Sequence, residues 1–324
     1  MAGAWDQAMT LVGAAACWVA AARCLLAVRF LLLWALGGHR APARAAFRRL
    51  GKWAVITGAG DGIGKAYSLQ LARLGLNTVL IGRTRGKLQA LAAQIRRETG
   101  RDVLLMEADF TRTDIYEGIR AGLRGLDVGV LVNNVGLLPN LFPACFLDGP
   151  DLDEDLVHCN VTSVIKMSRL VLPGMESRGR GLIVNLSSGA GLGPWPHYAL
   201  YSASKGLVCA FSKAVEAEYQ EKGIIVQVVT PFAVSTPMTG HLPPNFFVKT
   251  PEAFVREALA LAASGGQVCG CLAHDVLRWL LGLIPSGVFY SNTLRRLLLD
   301  RYTRYLRACG GVPGPPTPLP PPKP

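Results

Sequence analysis

The sequence predicts a doubly wound α/β fold, one parallel sheet with helices on both faces, and three observations predict it. Short runs of Val, Ile and Leu recur without polar alternation, as strands buried on both faces require. Stretches of helical period separate those runs. A glycine-rich turn joins the first run to the first helical stretch, the place where such folds meet a phosphate. The chain has 324 residues, half of them apolar, enough to bury one large core, so a single domain of this kind is expected.

The first element precedes that domain. Residues 9–36 are almost wholly apolar, interrupted by Arg23 and Arg29, and about 20 such residues suffice to cross a bilayer. Residues 1–38 are therefore expected to form an N-terminal membrane anchor, with both arginines near its end, where long side chains reach the interface. The basic stretch follows this helix, so the positive-inside rule puts the rest of the chain on the cytoplasmic side. A cleaved signal peptide is the competing reading, but it wants a basic start and the only early charge is Asp6. Residues 39–52 read as a short basic linker and 53–310 as the catalytic domain. Strands are expected at 53–57, 78–82, 103–107, 128–133, 181–187 and 224–229, and helices at 63–74, 86–98, 153–176 and 200–220. Residues 311–324 read as a proline-rich disordered tail.

The formal charge of +12 is concentrated at the two flanks. Arg23, Arg29, Arg40, Arg44, Arg48, Arg49 and Lys52 stand against Asp6 alone at one end. Arg295, Arg296, Arg301, Arg304, Arg307 and Lys323 stand against Asp300 at the other. Basic charge beside apolar segments points to a membrane surface carrying anionic lipid. Nucleic acid is not expected as a partner, because no aromatic-interleaved basic stripe or binding motif accompanies the charge. The eight cysteines match no disulfide scaffold and read as reduced thiols, which favours a reducing compartment. Cys269 and Cys271 are the one close pair; without a second pair or a histidine cluster no metal site is expected.

Thr57-Gly58-Ala59-Gly60-Asp61-Gly62-Ile63-Gly64 lies between the first strand and the first helix. Glycines at 58, 62 and 64 let the backbone turn tightly against a pyrophosphate, whose charge the helix N-terminus then meets. At the end of the second strand, Gly82-Arg83-Thr84-Arg85 carries arginine where a NAD site carries an acid for the ribose hydroxyl. NADP is the expected dinucleotide, with Arg83 on the 2′-phosphate and Arg85 as a helper.

Tyr201-Ser202-Ala203-Ser204-Lys205 opens the 200–220 helix, and a spacing of four residues puts Tyr201 and Lys205 on one face. A phenol titrates near pH 10, so proton transfer near neutrality requires a shift of about three units, worth roughly 4 kcal/mol. An adjacent ammonium favours the phenolate and supplies part of that shift. Strand 181–187 ends in Ser187-Ser188-Gly189, at the end of a parallel sheet where ligands sit. Ser188 is the expected donor to a substrate oxygen, and the thirteen-residue spacing to Tyr201 favours it over Ser187.

This combination resembles the short-chain dehydrogenase/reductase family, over about residues 53–231. The resemblance implies a Rossmann-type doubly wound sheet and NADPH/NADP contacts at Thr57, Gly58, Gly60, Asp61, Gly62, Ile63 and Gly64. Asp109 is similar to the family's adenine-side acid, and Asn133-Asn134-Val135-Gly136 to its Asn-Asn-x-Gly element, implying contacts at Asn134 and Gly136. Asn160 resembles the catalytic asparagine that holds a water in the proton relay, and with Ser188, Tyr201 and Lys205 completes a tetrad. Pro231-Phe232 departs from the family's frequent Pro-Gly, although Pro231 and Val234 remain implied cofactor contacts. Asn160 and Asn185 also begin sequons, discounted because both fall in the expected core.

Within the family the chain looks like the membrane-bound 17β-hydroxysteroid dehydrogenases, on Trp53 to Tyr67, Asn133 to Asn140, Pro194-Trp195-Pro196, Val234 to Thr239 and Cys269 to His274. That implies reduction of a 17-ketosteroid held by Ser188 and Tyr201, a homodimer, and an endoplasmic reticulum membrane location with the catalytic domain in the cytoplasm. Very-long-chain 3-oxoacyl-CoA reduction is the alternative, and a catalytically silent membrane adaptor the alternative of another class. Residues 232–250 are expected to close over an apolar substrate with Phe232, Met238, Leu242, Phe246, Phe247 and Val248, or in part simply to pack beneath a lid. Residues 276–306 alternate leucines with arginines, and read equally as a bilayer-lying segment near the entrance or a subunit-interface helix.

Overall fold

The computed structural model describes residues 44–148, 151–289 and 291–309, together with isolated positions between 9 and 28. The chain divides into a unit of residues 1–41 and a unit of residues 42–324. In the first unit the described positions are helical and exposed, with Met9, Trp18, Leu25 and Val28 offering apolar side chains to their surroundings. Among the described residues no helix is long and apolar enough to cross a membrane. Most of the expected anchor and the whole 311–324 tail lie outside the described residues.

The second unit is built on seven parallel strands: β1 (Trp53–Thr57), β2 (Asn77–Gly82), β3 (Val103–Glu107), β4 (Val128–Asn133), β5 (Gly181–Leu186), β6 (Ile224–Val229) and β7 (Gly266–Val268). Their order in the sheet is β3-β2-β1-β4-β5-β6-β7. The chain therefore winds outward from β1 in one direction and resumes at β4 in the other. The carboxyl ends of β1 and β4 part at this switch point and leave a crevice where ligands bind.

The helices described in this unit are α1 (Arg44–Leu50), α2 (Gly62–Arg73), α3 (Arg85–Thr99), α4 (Tyr116–Leu123), α5 (Asp153–Val157), α6 (Ser163–Arg178), α7 (Ala199–Tyr219), α8 (Pro251–Ala260), α9 (Leu272–Gly282), α10 (Ser286–Phe289) and α11 (Asn292–Ala308). Strand periodicity sends Ala54 and Ile56 into one core with residues of α2, α3 and α8, and Val55 into another with residues of α4, α6 and α7. Both faces of the sheet are thus covered, which is why its strands read as unbroken apolar runs. Each fully buried Ile or Leu in these layers contributes roughly 1.5–3 kcal/mol.

Three features differ from expectation. Residues 44–50, read as linker, form α1: Phe47 is buried in the core and Arg44 Nε donates to the Arg73 carbonyl at 2.8 Å. The helix expected over 153–176 runs to Arg178 but is broken by a π-turn, His158–Thr162, centred on Asn160. Elements α4, β7 and α8 were not expected, and residues 276–306, expected as a bilayer-lying segment or an interface helix, fall mainly in α9 to α11. Both sequon asparagines, Asn160 and Asn185, are buried, as expected.

Candidate active site

A cavity of about 680 Å³ opens at the switch point. Its floor is the β1–α2 turn, whose sequence leaves room for little except backbone. Gly58 and Gly62 hold φ of 64° and 50°, in the left-handed region that favours glycine. A Cβ on Gly64 would stand 2.2 Å from the Gly58 carbonyl oxygen, so a side chain there would push the turn apart. Thr57 and Asn134 fasten this turn to the end of β4. Asn134 and Val135 both donate backbone N–H groups to Thr57 Oγ1 at 3.0 Å, while Asn134 Nδ2 donates to the carbonyls of Thr57 and Gly58.

Beyond the turn the cavity is rimmed by cations. Arg83 lines it and has no carboxylate partner among the described residues. The expected helper, Arg85, does not line it; Thr84, just before α3, and Lys87 and Leu88 within it do. Lys87, which sequence reasoning missed, is ion-paired with Asp61. It stands in the first turn of α3, just after the arginine-bearing end of β2. Asp109 lines the wall beside them and accepts from the backbone and hydroxyl of Thr111 at 3.1 and 3.0 Å.

The other end of the cavity holds the proposed chemistry. Ser187 and Ser188 follow β5 and separate in role. Ser187 Oγ is buried and donates to the Lys205 carbonyl at 2.7 Å, tying the strand to α7. Ser188 faces the cavity and its Oγ accepts from the Ala190 N–H at 3.1 Å, which leaves its proton to give. Tyr201 and Lys205 line the same wall from the first turns of α7. Lys205 is 4% exposed, and Nζ donates to the Leu186 carbonyl at 3.1 Å and sits 5.9 Å from the Tyr201 ring centre.

Burial decides the ionisation of both groups. It pushes the Lys205 ammonium down to about 8. It pushes the Tyr201 phenol up, opposed in part by a hydrogen bond with Ser188. Within the protein itself, burial is the larger influence on the Tyr201 phenol, and Lys205 Nζ stands 5.9 Å from its ring centre.

Of the expected site residues, Gly58, Gly60, Asp61, Gly62, Ile63, Arg83, Asp109, Asn134, Gly136, Ser188, Tyr201, Lys205, Pro231 and Val234 line this one cavity. Thr57, Gly64 and Asn160 do not line it. Asn160, expected as catalytic, is wholly buried: Oδ1 accepts from the Leu137 N–H at 2.7 Å, and Nδ2 donates to the Leu137 carbonyl and Ser204 Oγ. It positions the loop after β4 against α7. Phe232 takes the place of the missing glycine. Its ring packs over Gly189, its N–H donates to His274 Nδ1 at 3.3 Å, and it lines the cavity. Met238 and Leu242 of the expected closing loop also line the cavity, whereas Phe246, Phe247 and Val248 do not. Val248 packs instead with Phe142, Leu242 and Leu306.

The geometry is that of a dinucleotide-dependent oxidoreductase, and comparison with known proteins agrees. Residues 52–245 match the model of the short chain dehydrogenase family, and the chain belongs to that family. It is 53% identical to human 17-beta-hydroxysteroid dehydrogenase type 3 over 302 residues, 93% of this chain and 96% of that protein. It is 46% identical to the very-long-chain 3-oxoacyl-CoA reductase of Anas platyrhynchos, over 86% of this chain and 88% of that one. Among solved structures it is similar to a short-chain dehydrogenase from Sphingobium yanoikuyae in complex with NADPH. That likeness has a TM-score of 0.61 and 28% identity and covers 74% of this chain and 99% of that one.

Proposed function

We propose that the chain is an NADPH-dependent reductase of a 17-ketosteroid, acting in the sense of androstenedione to testosterone. The observation that carries the reading is near-full-length identity of 53% with human 17-beta-hydroxysteroid dehydrogenase type 3, joined to a cavity that keeps Ser188, Tyr201 and Lys205 on one wall. The cradle fits the cofactor: Gly58, Gly62 and Gly136 present backbone to the pyrophosphate and nicotinamide side, and Arg83 with Lys87 takes the 2′-phosphate. When bound, NADPH supplies the hydride. Ser188 donates a hydrogen bond to the ketone oxygen and steadies its developing charge. Tyr201, whose phenol burial keeps protonated, gives that oxygen its proton. Lys205, anchored on Leu186, keeps further N–H donors that would hold the cofactor ribose.

A second reading, very-long-chain 3-oxoacyl-CoA reduction, is favoured by the 46% identical relative. A silent adaptor is disfavoured by retention of every hydroxyl and ammonium the reaction needs. The test is NADPH oxidation by the full-length protein with androstenedione and with a 3-oxoacyl-CoA. The proposal expects the larger kcat/KM on the steroid; a larger value on the thioester reverses the two enzyme readings, and no oxidation with either revives the adaptor.

The same proposal places the catalytic unit on the cytoplasmic face of the endoplasmic reticulum, as a homodimer held by an N-terminal anchor. The apolar run over 9–36 and the exposed Trp18, Leu25 and Val28 support the anchor. Release of the chain from membranes by alkaline carbonate would contradict it, and a monomer by sedimentation in detergent would contradict the dimer.

A further inference from the structure

The chemistry at Tyr201 leaves one buried imidazole without a role. His274 lies in the first turn of α9, fully buried, with the rings of Phe232 and Phe254 at 5.9 and 5.7 Å between centres. Both of its ring nitrogens are bonded to backbone. Nδ1 accepts from the Phe232 N–H at 3.3 Å, and Nε2 lies 2.9 Å from the Phe247 carbonyl oxygen. A carbonyl only accepts, so Nε2 carries the ring proton and Nδ1 keeps a lone pair for Phe232. Burial, which lowers the imidazole below its ordinary range, favours the same neutral ring.

The two bonds fall at the two ends of one loop. Residues 232–235 and 247–249 run side by side, with the Ser235 N–H donating to the Lys249 carbonyl at 2.8 Å and the Lys249 N–H to the Ala233 carbonyl at 3.2 Å. The chain between them carries Met238 and Leu242 to the cavity. At the near end, the peptide joining Pro231 to Phe232 is held on both sides. Its N–H is bonded to His274, and its carbonyl accepts from the Gly189 N–H at 2.8 Å. Gly189 directly follows Ser188, the proposed donor to the ketone, so the Ser188 turn and the loop are tied to one imidazole.

We propose that His274 is a positioning residue with two separable effects: through Phe232 it sets the Ser188 turn for reaction, and through Phe247 it holds the loop bearing Met238 and Leu242 against the substrate. The inference rests on the reading of this chain as a ketone reductase. A glycine after Pro231, frequent in the family, has no ring to seat; here the Phe232 ring lines the cavity and packs over Gly189. An apolar residue in place of His274 would fill the space and leave both backbone groups without this partner.

The test uses side chains that each keep one half of the imidazole's function. The Asn oxygen stands where Nδ1 does and the Gln nitrogen where Nε2 does, so His274→Asn retains the acceptor for Phe232 and His274→Gln the donor for Phe247. His274→Phe retains neither. Wild type and the three variants are compared as full-length protein in lipid vesicles, by steady-state kinetics on androstenedione well below each melting temperature and by exchange of the Phe232 amide hydrogen. His274→Gln is expected to lower kcat about five- to tenfold, the order of one lost hydrogen bond, with KM for the steroid changed less than about twofold. His274→Asn reverses the pattern, raising KM by that factor and sparing kcat. His274→Phe shows both effects, and amide exchange at Phe232 quickens in the Gln and Phe variants and not in the Asn variant. Unchanged kinetics in all three, or losses that follow melting temperature with no split between kcat and KM, overturn the proposal. Should His274→Phe fail to fold, the Asn and Gln variants test the same split. If wild type reduces neither androstenedione nor a 3-oxoacyl-CoA, the reductase reading falls, and the Phe232 exchange pattern alone supports or overturns the two bonds.

Discussion

Burial acts in opposite senses on the two titrating groups of the catalytic wall, and the pH behaviour follows from that. The Tyr201 phenol is raised, so it stays protonated through neutral and mildly alkaline conditions as a proton donor should. The Lys205 ammonium is lowered to about 8, so it loses its proton first. Since kcat/KM for NADPH reports the free enzyme, it should fall as pH rises through about 8. A profile flat to pH 10 would remove Lys205 as a charged ligand of the cofactor. The stability consequence has the reverse sign. The unfolded chain keeps the lysine proton to about 10.4, so between about 8 and that value the unfolded state binds more protons. Stability should therefore gain from Lys205 as pH rises across this window, while below it the cost of burying the charge is fully present. Denaturant midpoints at pH 7.5 and 9.5, compared with Lys205→Met, measure the difference. At the adenine end, Arg83→Gln should weaken NADPH at least tenfold while changing NADH little, because only the former carries the 2′-phosphate. Equal weakening of both, measured by fluorescence titration, would assign the arginine another role.

At the scale of elements, β1 to β6 and the helices beside the site were legible because each announces itself by composition. Apolar runs mark strands buried on both faces, and the β1–α2 glycines mark a turn that φ values of 64° and 50° confirm as glycine's own. What could not be read depends on contacts distant in sequence. The π-turn over His158–Thr162 carries Asn160, whose amide bonds both backbone groups of Leu137, and Lys87 rather than Arg85 lines the cavity. Thr57, Gly64 and Asn160 stand behind the cavity wall, where they brace the surfaces that line it. Asn160→Ala would leave the part-buried Leu137 N–H without its acceptor and is expected to cost about 1–3 kcal/mol. It should lower the denaturation midpoint as well as turnover. Loss of turnover at unchanged stability would give Asn160 a part in the proton relay beyond its bracing of Leu137.

Across the whole molecule, the two ends and the middle answer to different physics. The middle is a nearly neutral α/β core whose switch point fixes where a dinucleotide and a ketone can meet. The basic, apolar flanks were read from composition as membrane-facing. The C-terminal one supplies α11, a cavity wall as well as a charged surface. That second use was hidden because leucines spaced among arginines give the same pattern on a bilayer and over a cavity. If Tyr201 protonates a ketone while NADPH reduces it, turnover of androstenedione by the full-length Tyr201→Phe variant must drop. A fall in kcat of about 10²- to 10⁴-fold with NADPH affinity intact is expected. Turnover equal to wild type would contradict it.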